Sequence, residues 1–272
     1  MSGKFAVDLG NISKTLLLPL WGRALETQKP NPLLVDKIAV DIIDKIDYDF
    51  SMMANNISYL TQLAWIGRSK LTDKTIKKFL QLHPEAAIVN IGCGLDTTFE
   101  RVNNGKLYWY DLDLPEVIEL RKNFIQETDR RKFITSSFLD YSWFRHLKVK
   151  ENVMFIAAGV FYYFEEDQIR NFIINIAESF PGSEILFDVA SPFGVKVFNK
   201  HVIQNSGMDK NSFLKWGIKN HKEIQLWDKR IKVLKKYSFF KDLRRGLTFK
   251  ERLGTYFSDL LKVMYMVHIK FQ

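Results

Sequence analysis

Hydrophobic positions along the second two-thirds of this chain gather into short apolar runs, at residues 86–91, 107–110, 132–136, 153–158 and 184–189. Four of the five are dense in β-branched or aromatic side chains, and continuous apolar character over so short a span predicts strands buried on both faces. Between them the pattern turns helical. Residues 114–121 carry Pro115 near their start, where a missing N–H costs nothing. Glu165, Glu166 and Asp167 open a second helix over 168–180, with Ile169, Phe172, Ile173, Ile176 and Phe180 on one face and Pro181-Gly182 as its stop. Strands alternating with helices predict a mainly parallel sheet covered on both sides.

Two regions leave this rhythm. Residues 231–239 and 264–271 are apolar-rich, and no clear crossover helix separates them. The second run alternates, with Met264, Met266, His268 and Lys270 against Tyr265, Val267, Ile269 and Phe271. This predicts a closing pair that includes an antiparallel strand, seven strands in all. Residues 11–85 read as mostly helical, over 12–27, 32–46, 57–67 and 72–82. They form an expected N-terminal helical cap (1–85) on the open side of an α/β core (86–272), with no composition break between the two.

Composition narrows the class. The 272 residues are 46% hydrophobic and 26% charged, enough for a sizeable core and without low-complexity tracts. No apolar run approaches a membrane span of about 20 residues, and the N-terminus has no basic-then-apolar signal. A single cysteine, Cys93, excludes an internal disulfide and a cysteine-cluster metal site, which predicts a reduced, cytoplasmic setting. The net charge is +9, much of the excess lying in the last quarter. Because those Lys and Arg residues are interleaved with apolar and acidic ones and no nucleic-acid module accompanies them, they read as solvated surface. The oligomeric state is not legible.

Chemistry concentrates at 86–115. The first strand candidate breaks at Gly92-Cys93-Gly94, and the second ends in Asp111-Leu112-Asp113. A strand, a glycine turn and an acidic strand end about twenty residues later make a nucleotide cradle. The glycines permit a sharp turn and a bare backbone, and a carboxylate suits a ribose diol. A dinucleotide fingerprint asks for a third glycine where Thr97 stands, with Asp96 beside it. A carboxylate there repels a pyrophosphate but accepts a cation, so the pattern favours S-adenosylmethionine, which has a sulfonium, an ammonium and no phosphate. Cys93 reads as a small filler under the turn. None of the five histidines falls in a catalytic motif, and no general base is assigned.

These residues resemble the leucine carboxyl methyltransferase family, in its bacterial branch of polyketide-type O-methyltransferases. The matching pieces run through most of the chain: residues 15–26 (TLLLPLWGRALE) as the opening helix, 90–98 (NIGCGLDTT) as the cofactor turn, 113–118 (DLPEVI) after the second strand, and 180–184 (FPGSE) before the fifth. The resemblance implies a three-layer, Rossmann-like class I methyltransferase with S-adenosylmethionine as donor and an oxygen as acceptor. It implies that Arg68 clamps the donor's carboxylate, that Gly92 approaches its methionine moiety with Gly94 also at the cofactor, and that Asp113 binds the ribose, with Asp111 the second candidate. Ser137 and Phe138 fall where the family holds the adenine. Where the family usually reads Ala-Glu-Gly after the fourth strand, this chain has Ala157-Ala158-Gly159. Ala158 thus removes a carboxylate from the donor site, with Asp96 and Asp188 as possible compensation.

Tyr162 and Tyr163 are the expected acceptor contacts, with Phe193, Phe198 and Trp216 as candidate walls. The branch implies a small, aromatic polyketide-like acid as acceptor. A carboxylate acceptor needs no base, whereas a phenol does. Two rivals stay open: a methyltransferase acting on a protein C-terminus or on nucleic acid, and a non-catalytic binding protein. An NAD-dependent dehydrogenase is disfavoured by Thr97.

Overall fold

The computed structural model describes residues 5–6, 14–148, 151–204 and 213–272. Its centre is a seven-stranded sheet of β1 (Ala87–Ile91), β2 (Tyr108–Asp113), β3 (Arg131–Thr135), β4 (Val153–Ala157), β5 (Glu184–Ala190), β6 (Ile231–Ser238) and β7 (Met264–Phe271). The strands lie in the order β3-β2-β1-β4-β5-β7-β6. The first five are mutually parallel, and β7 runs antiparallel to both β5 and β6. The expected closing pair is therefore present, with a bulge between Val233 and Lys235 on the edge strand.

β1 and β4 are buried at every position, as central strands of a doubly covered sheet must be. Alternate residues feed two cores. On one face Val89, Phe155 and Phe187 pack with Phe172 and Ile176 of α7 (Glu166–Ser179). On the other, Ile88, Trp109, Met154 and Met266 pack with Ile76, Phe79 and Leu80 of α4 (Tyr59–Leu82).

Helix α4 corrects the expectation of two helices over 57–67 and 72–82, because it runs unbroken for 24 residues. Gly67, the last residue of the first of those segments, lies within the helix and serves a close approach: a Cβ there would lie 2.2 Å from the Phe239 carbonyl oxygen. The first turns of α4 carry Trp65 into a third core with α1 (Leu17–Thr27) and α2 (Lys37–Lys45), built around Leu17, Trp21, Ala39 and Ile42. Helix α2 begins later than expected because Asp36 caps it, accepting from the Ala39 N–H. A short α3 (Ser51–Asn56) leads into α4. Residues 12 and 13, the start of the expected first helix, lie outside the described residues.

The remaining helices are α5 (Thr98–Val102), α6 (Pro115–Lys122), α8 (Pro192–Phe198) and α9 (Phe249–Leu260). Helix α9 occupies the stretch between β6 and β7 that read as lacking one. Thr248 and Glu251 form a reciprocal capping box at its start.

Candidate functional site

Strand β1 ends in a turn that its two glycines make possible. Gly92 has φ +60° and Gly94 φ +46°, and a Cβ on Gly92 would meet Val160 Cγ2 at 2.6 Å. The neighbouring strand ends at Asp113, as its acidic end predicts, and delivers that residue beside this turn. The Gly94 N–H donates to Asp113 Oδ2 (2.7 Å) and the Leu114 N–H to Oδ1 (2.8 Å). Burial nevertheless pushes the Asp113 carboxyl above the ordinary aspartate value.

Asp111, two residues earlier and deeper in the strand, is buried and does not line the cavity, which corrects its candidacy for the ribose. Its side chain is wholly enclosed, with Oδ2 accepting from Arg121 and Arg131 (2.9 Å each) and Oδ1 from Trp109 Nε1 (2.8 Å) and Asn90 (3.1 Å). Arg121 in turn donates to the carbonyls of Gly94 and Asp96, both at 2.8 Å. Asp111 therefore braces the glycine turn from below through a guanidinium.

Asp96 stands inside the turn, with the Thr98 N–H (2.9 Å) and hydroxyl (3.0 Å) donating to it. Burial opposes its charge, but Arg23 and Arg101 outweigh that and hold the carboxyl at about 2. Arg23 and Arg101 also converge at 2.8 Å on Asp36 Oδ2, which accepts from the Thr97 hydroxyl as well, at 2.5 Å. This network ties the cap to the turn. Thr97, where a dinucleotide site would have glycine, is one of its members.

The turn opens into a cavity of about 570 Å³ at the C-terminal edge of the sheet. Gly92, Gly94, Asp96 and Asp113 line one side, with Ser137 and Phe138 beyond β3. The Ser137 hydroxyl accepts from the Leu139 N–H (3.2 Å), while Phe138 also packs edge-on against Phe164 and Phe172. Across the cavity Arg68 emerges from α4. Its Nη1 donates to Asp188 Oδ2 (2.9 Å) and to the Tyr162 hydroxyl (3.3 Å). The other Asp188 oxygen accepts from the Gly159 N–H at 2.7 Å. Ala158 lines the cavity, but Asp188 does not. Asp188 therefore secures Arg68 and the β4 turn from behind instead of presenting a carboxylate in place of the absent glutamate.

Tyr162, Tyr163 and Phe198 lie on the cavity wall with Leu18, Pro19 and Trp65 of the cap. Burial pushes the Tyr163 phenol up to about 12 and raises that of Tyr162 as well. Both are neutral near pH 7. Two expected walls lie elsewhere: Trp216 is a core residue whose Nε1 reaches Glu166 (3.2 Å), and Phe193 is exposed outside the cavity. Among the described residues no histidine lines the cavity, and no cluster of His, Cys, Asp or Glu is placed to hold a metal ion. Cys93 is buried under the turn, its thiol pushed up by that burial.

Arg23, Asp36, Arg101 and Arg121 had no assigned role in the sequence reading. Their partners lie up to 74 residues away, so no local spacing reveals them. Arg23 alone carried a signal, as part of the opening-helix motif.

A strand order with β7 reversed between β5 and β6, and a glycine turn beside an acid-tipped β2, define a class I methyltransferase fold. The same fold appears in a DUF574-family protein from Streptomyces avermitilis (TM-score 0.61, 9% identity, covering 96% of this chain and 98% of that one). It appears again in a putative methyltransferase from Thermobifida fusca (TM-score 0.57, 14% identity, 92% and 94% covered). The family model described as leucine carboxyl methyltransferase matches residues 17–177. The chain belongs to that family, and with it to the enzymes that transfer a methyl group from S-adenosylmethionine. Among its relatives is the tetracenomycin polyketide synthesis O-methyltransferase TcmP of Streptomyces glaucescens, 27% identical over 222 residues and 80% of each chain. Another is the S-adenosyl-L-methionine-dependent methyltransferase dpfgK of Gibberella zeae, 27% identical over 216 residues and 72% of each.

Proposed function

We propose that this enzyme methylates an oxygen, foremost a carboxylate, on a small polyketide-like acid, and that the donor lies along the β1–β2 edge of the cavity. The residues present suit that donor. Asp113 offers carboxylate oxygens to a ribose diol, and Gly92 leaves the backbone bare for the methionine moiety. Asp96 keeps a negative charge beside a cationic ligand. Arg68 faces the cavity with a guanidinium already anchored on one nitrogen, the geometry for gripping a carboxylate. Ser137 and Phe138 offer a polar contact and an aromatic face to the adenine.

The bound donor supplies a methyl carbon activated by an adjacent sulfonium. The chain's own part is positioning and exclusion of water, holding the acceptor oxygen roughly 3 Å from that carbon. The observation that carries the acceptor class is that, among the described residues lining the cavity, there is no histidine and both tyrosines are held protonated, while Asp96 and Asp113 are taken up by the donor in this reading. An acceptor that is already an anion at pH 7 suits such a site, and a phenol does not. The apolar wall of Leu18, Pro19, Trp65 and Phe198 suits a hydrophobic acid. The relationship to TcmP supports the same reading.

The test is calorimetry with S-adenosylmethionine and its demethylated product, followed by labelled methyl transfer to a panel. That panel holds aromatic polyketide acids, their phenolic counterparts, a peptide ending in leucine, and nucleic acid. The expected result is donor binding and an alkali-labile methyl ester on the small acids. Label confined to phenols, peptide or nucleic acid overturns the acceptor class, and absence of donor binding overturns the site.

A further inference from the structure

Helix α9 is built with its apolar side outward. Its one buried residue is Thr255, and its inward contacts are polar: Asp259 is bonded to Ser238 and Arg244. Phe249, Leu253, Tyr256, Phe257 and Leu260 are instead 81%, 46%, 54%, 50% and 61% exposed, and Leu261 just beyond is 50% exposed. An amphipathic helix on a globular body normally shows the core its apolar stripe. Isolated exposed apolar residues need no explanation, but a continuous stripe marks an interaction surface.

The spacing of the stripe identifies its occupant. Phe249, Leu253, Tyr256 and Leu260 are separated by four, three and four residues, the seam of a two-helix pair. The sequence of gaps is also palindromic. Turned about a twofold axis midway between Leu253 and Tyr256, the seam falls on itself, Phe249 opposite the partner's Leu260 and Leu253 opposite the partner's Tyr256. We infer that α9 is the interface of an isologous, antiparallel homodimer. In that arrangement Lys250 and Arg252, near the start of one helix, lie against the carbonyl-bearing C-terminal end of the other, where cations are favoured.

The area is adequate. An aromatic side chain buries about 150–250 Å² when fully enclosed, so the six exposed residues offer on the order of 600 Å² per copy. Two copies together withdraw about 1,200 Å², the lower bound of a stable interface before any rim contact is added. Phe193 of α8 extends the patch. It is 50% exposed, and its neighbours Ser191 and Gly194 pack on the Leu261–Val263 backbone. The other end of α8 is Phe198, on the cavity wall. The interface thus backs the element that borders the acceptor side.

The experiment is light scattering on full-length protein at several concentrations, with Leu253→Lys, Tyr256→Glu and an equimolar mixture of the two. Both positions are exposed, and circular dichroism confirms that the variants fold. The expected results are a dimer for the wild type and monomers for each variant alone. The mixture should recover the dimer mass, because the lysine introduced in one chain then meets the glutamate introduced in the other. A wild type that stays monomeric, including one that instead sediments with anionic phosphatidylserine vesicles, overturns the proposal. So does a dimer that survives Leu253→Lys. These readouts need no methyl transfer, so they stand or fall apart from the acceptor assignment.

Discussion

Two arginine–aspartate pairs flank the cavity with the same chemistry and opposite duties. Arg121 and Asp111 meet at 2.9 Å with both side chains fully enclosed, and the surplus hydrogen bonds of Arg121 end on backbone carbonyls of the glycine turn. Arg68 and Asp188 also meet at 2.9 Å, but the Arg68 side chain keeps 10% exposure and lines the cavity. The first pair turns the terminal nitrogens of its guanidinium wholly onto the protein, whereas the second leaves part of its guanidinium facing the cavity. An acidic residue in a cofactor motif is therefore assigned by the direction of its oxygens, not by its proximity to the glycines.

Removing the enclosed carboxylate should have the largest effect. Asp111→Ala leaves Arg121 and Arg131 buried without their shared partner, and a loss of roughly 3–5 kcal/mol of stability is expected in urea unfolding. A stability change within ~0.5 kcal/mol would mean the two pairs are equivalent after all. Next is Asp113→Ala, which should weaken donor binding by about 10–100-fold in calorimetry, from the loss of charge-assisted bonds worth about 1.5–3 kcal/mol. Its unfolding midpoint should move much less than that of Asp111→Ala. Arg68→Lys keeps the charge and loses the planar fork. A rise of about tenfold in the donor KM is expected, with a smaller change in kcat.

The smallest effect is one of pH. Burial raises the Asp113 carboxyl, so it takes up a proton at a higher pH than an exposed aspartate does. A ribose diol needs the ionised form as acceptor. Donor affinity should therefore fall as acid is added, starting above the ordinary aspartate value of about 3.9, while Asp96, held at about 2, keeps its charge. In Asp113→Asn that acid limb should be absent from the binding curve.

The parts legible in the sequence were those written in consecutive residues. Buried strands announce themselves as apolar runs, and the reversed β7 announced itself by alternation, because both patterns repeat within a few positions. The glycine turn at Gly92 and Gly94 and the strand end at Asp113 were legible for the same reason. What stayed hidden depends on which way a side chain turns or on a distant partner. Asp111 and Asp113 have the same side chain two residues apart, and only their distant neighbours separate them. The continuity of α4 through Gly67 was hidden, because the Phe239 backbone that requires a glycine there arrives from the C-terminal part of the chain. Trp216 seemed suited to a pocket wall and proved to be core. Helix α9 is not legible as a crossover helix because its apolar residues face outward and do not pack on the sheet.

The bond from the Gly159 N–H to Asp188 has a bearing on how this loop can change over generations. A backbone donor is the same whatever side chain stands next to it, so the anchor at the end of β4 makes no demand on position 158. The fully enclosed Asp188 and the φ of +91° at Gly159 fix the shape of the loop. The side chain at position 158 can then change without loosening the clamp on Arg68. The frame of the loop is fixed while this part of its lining is free to vary.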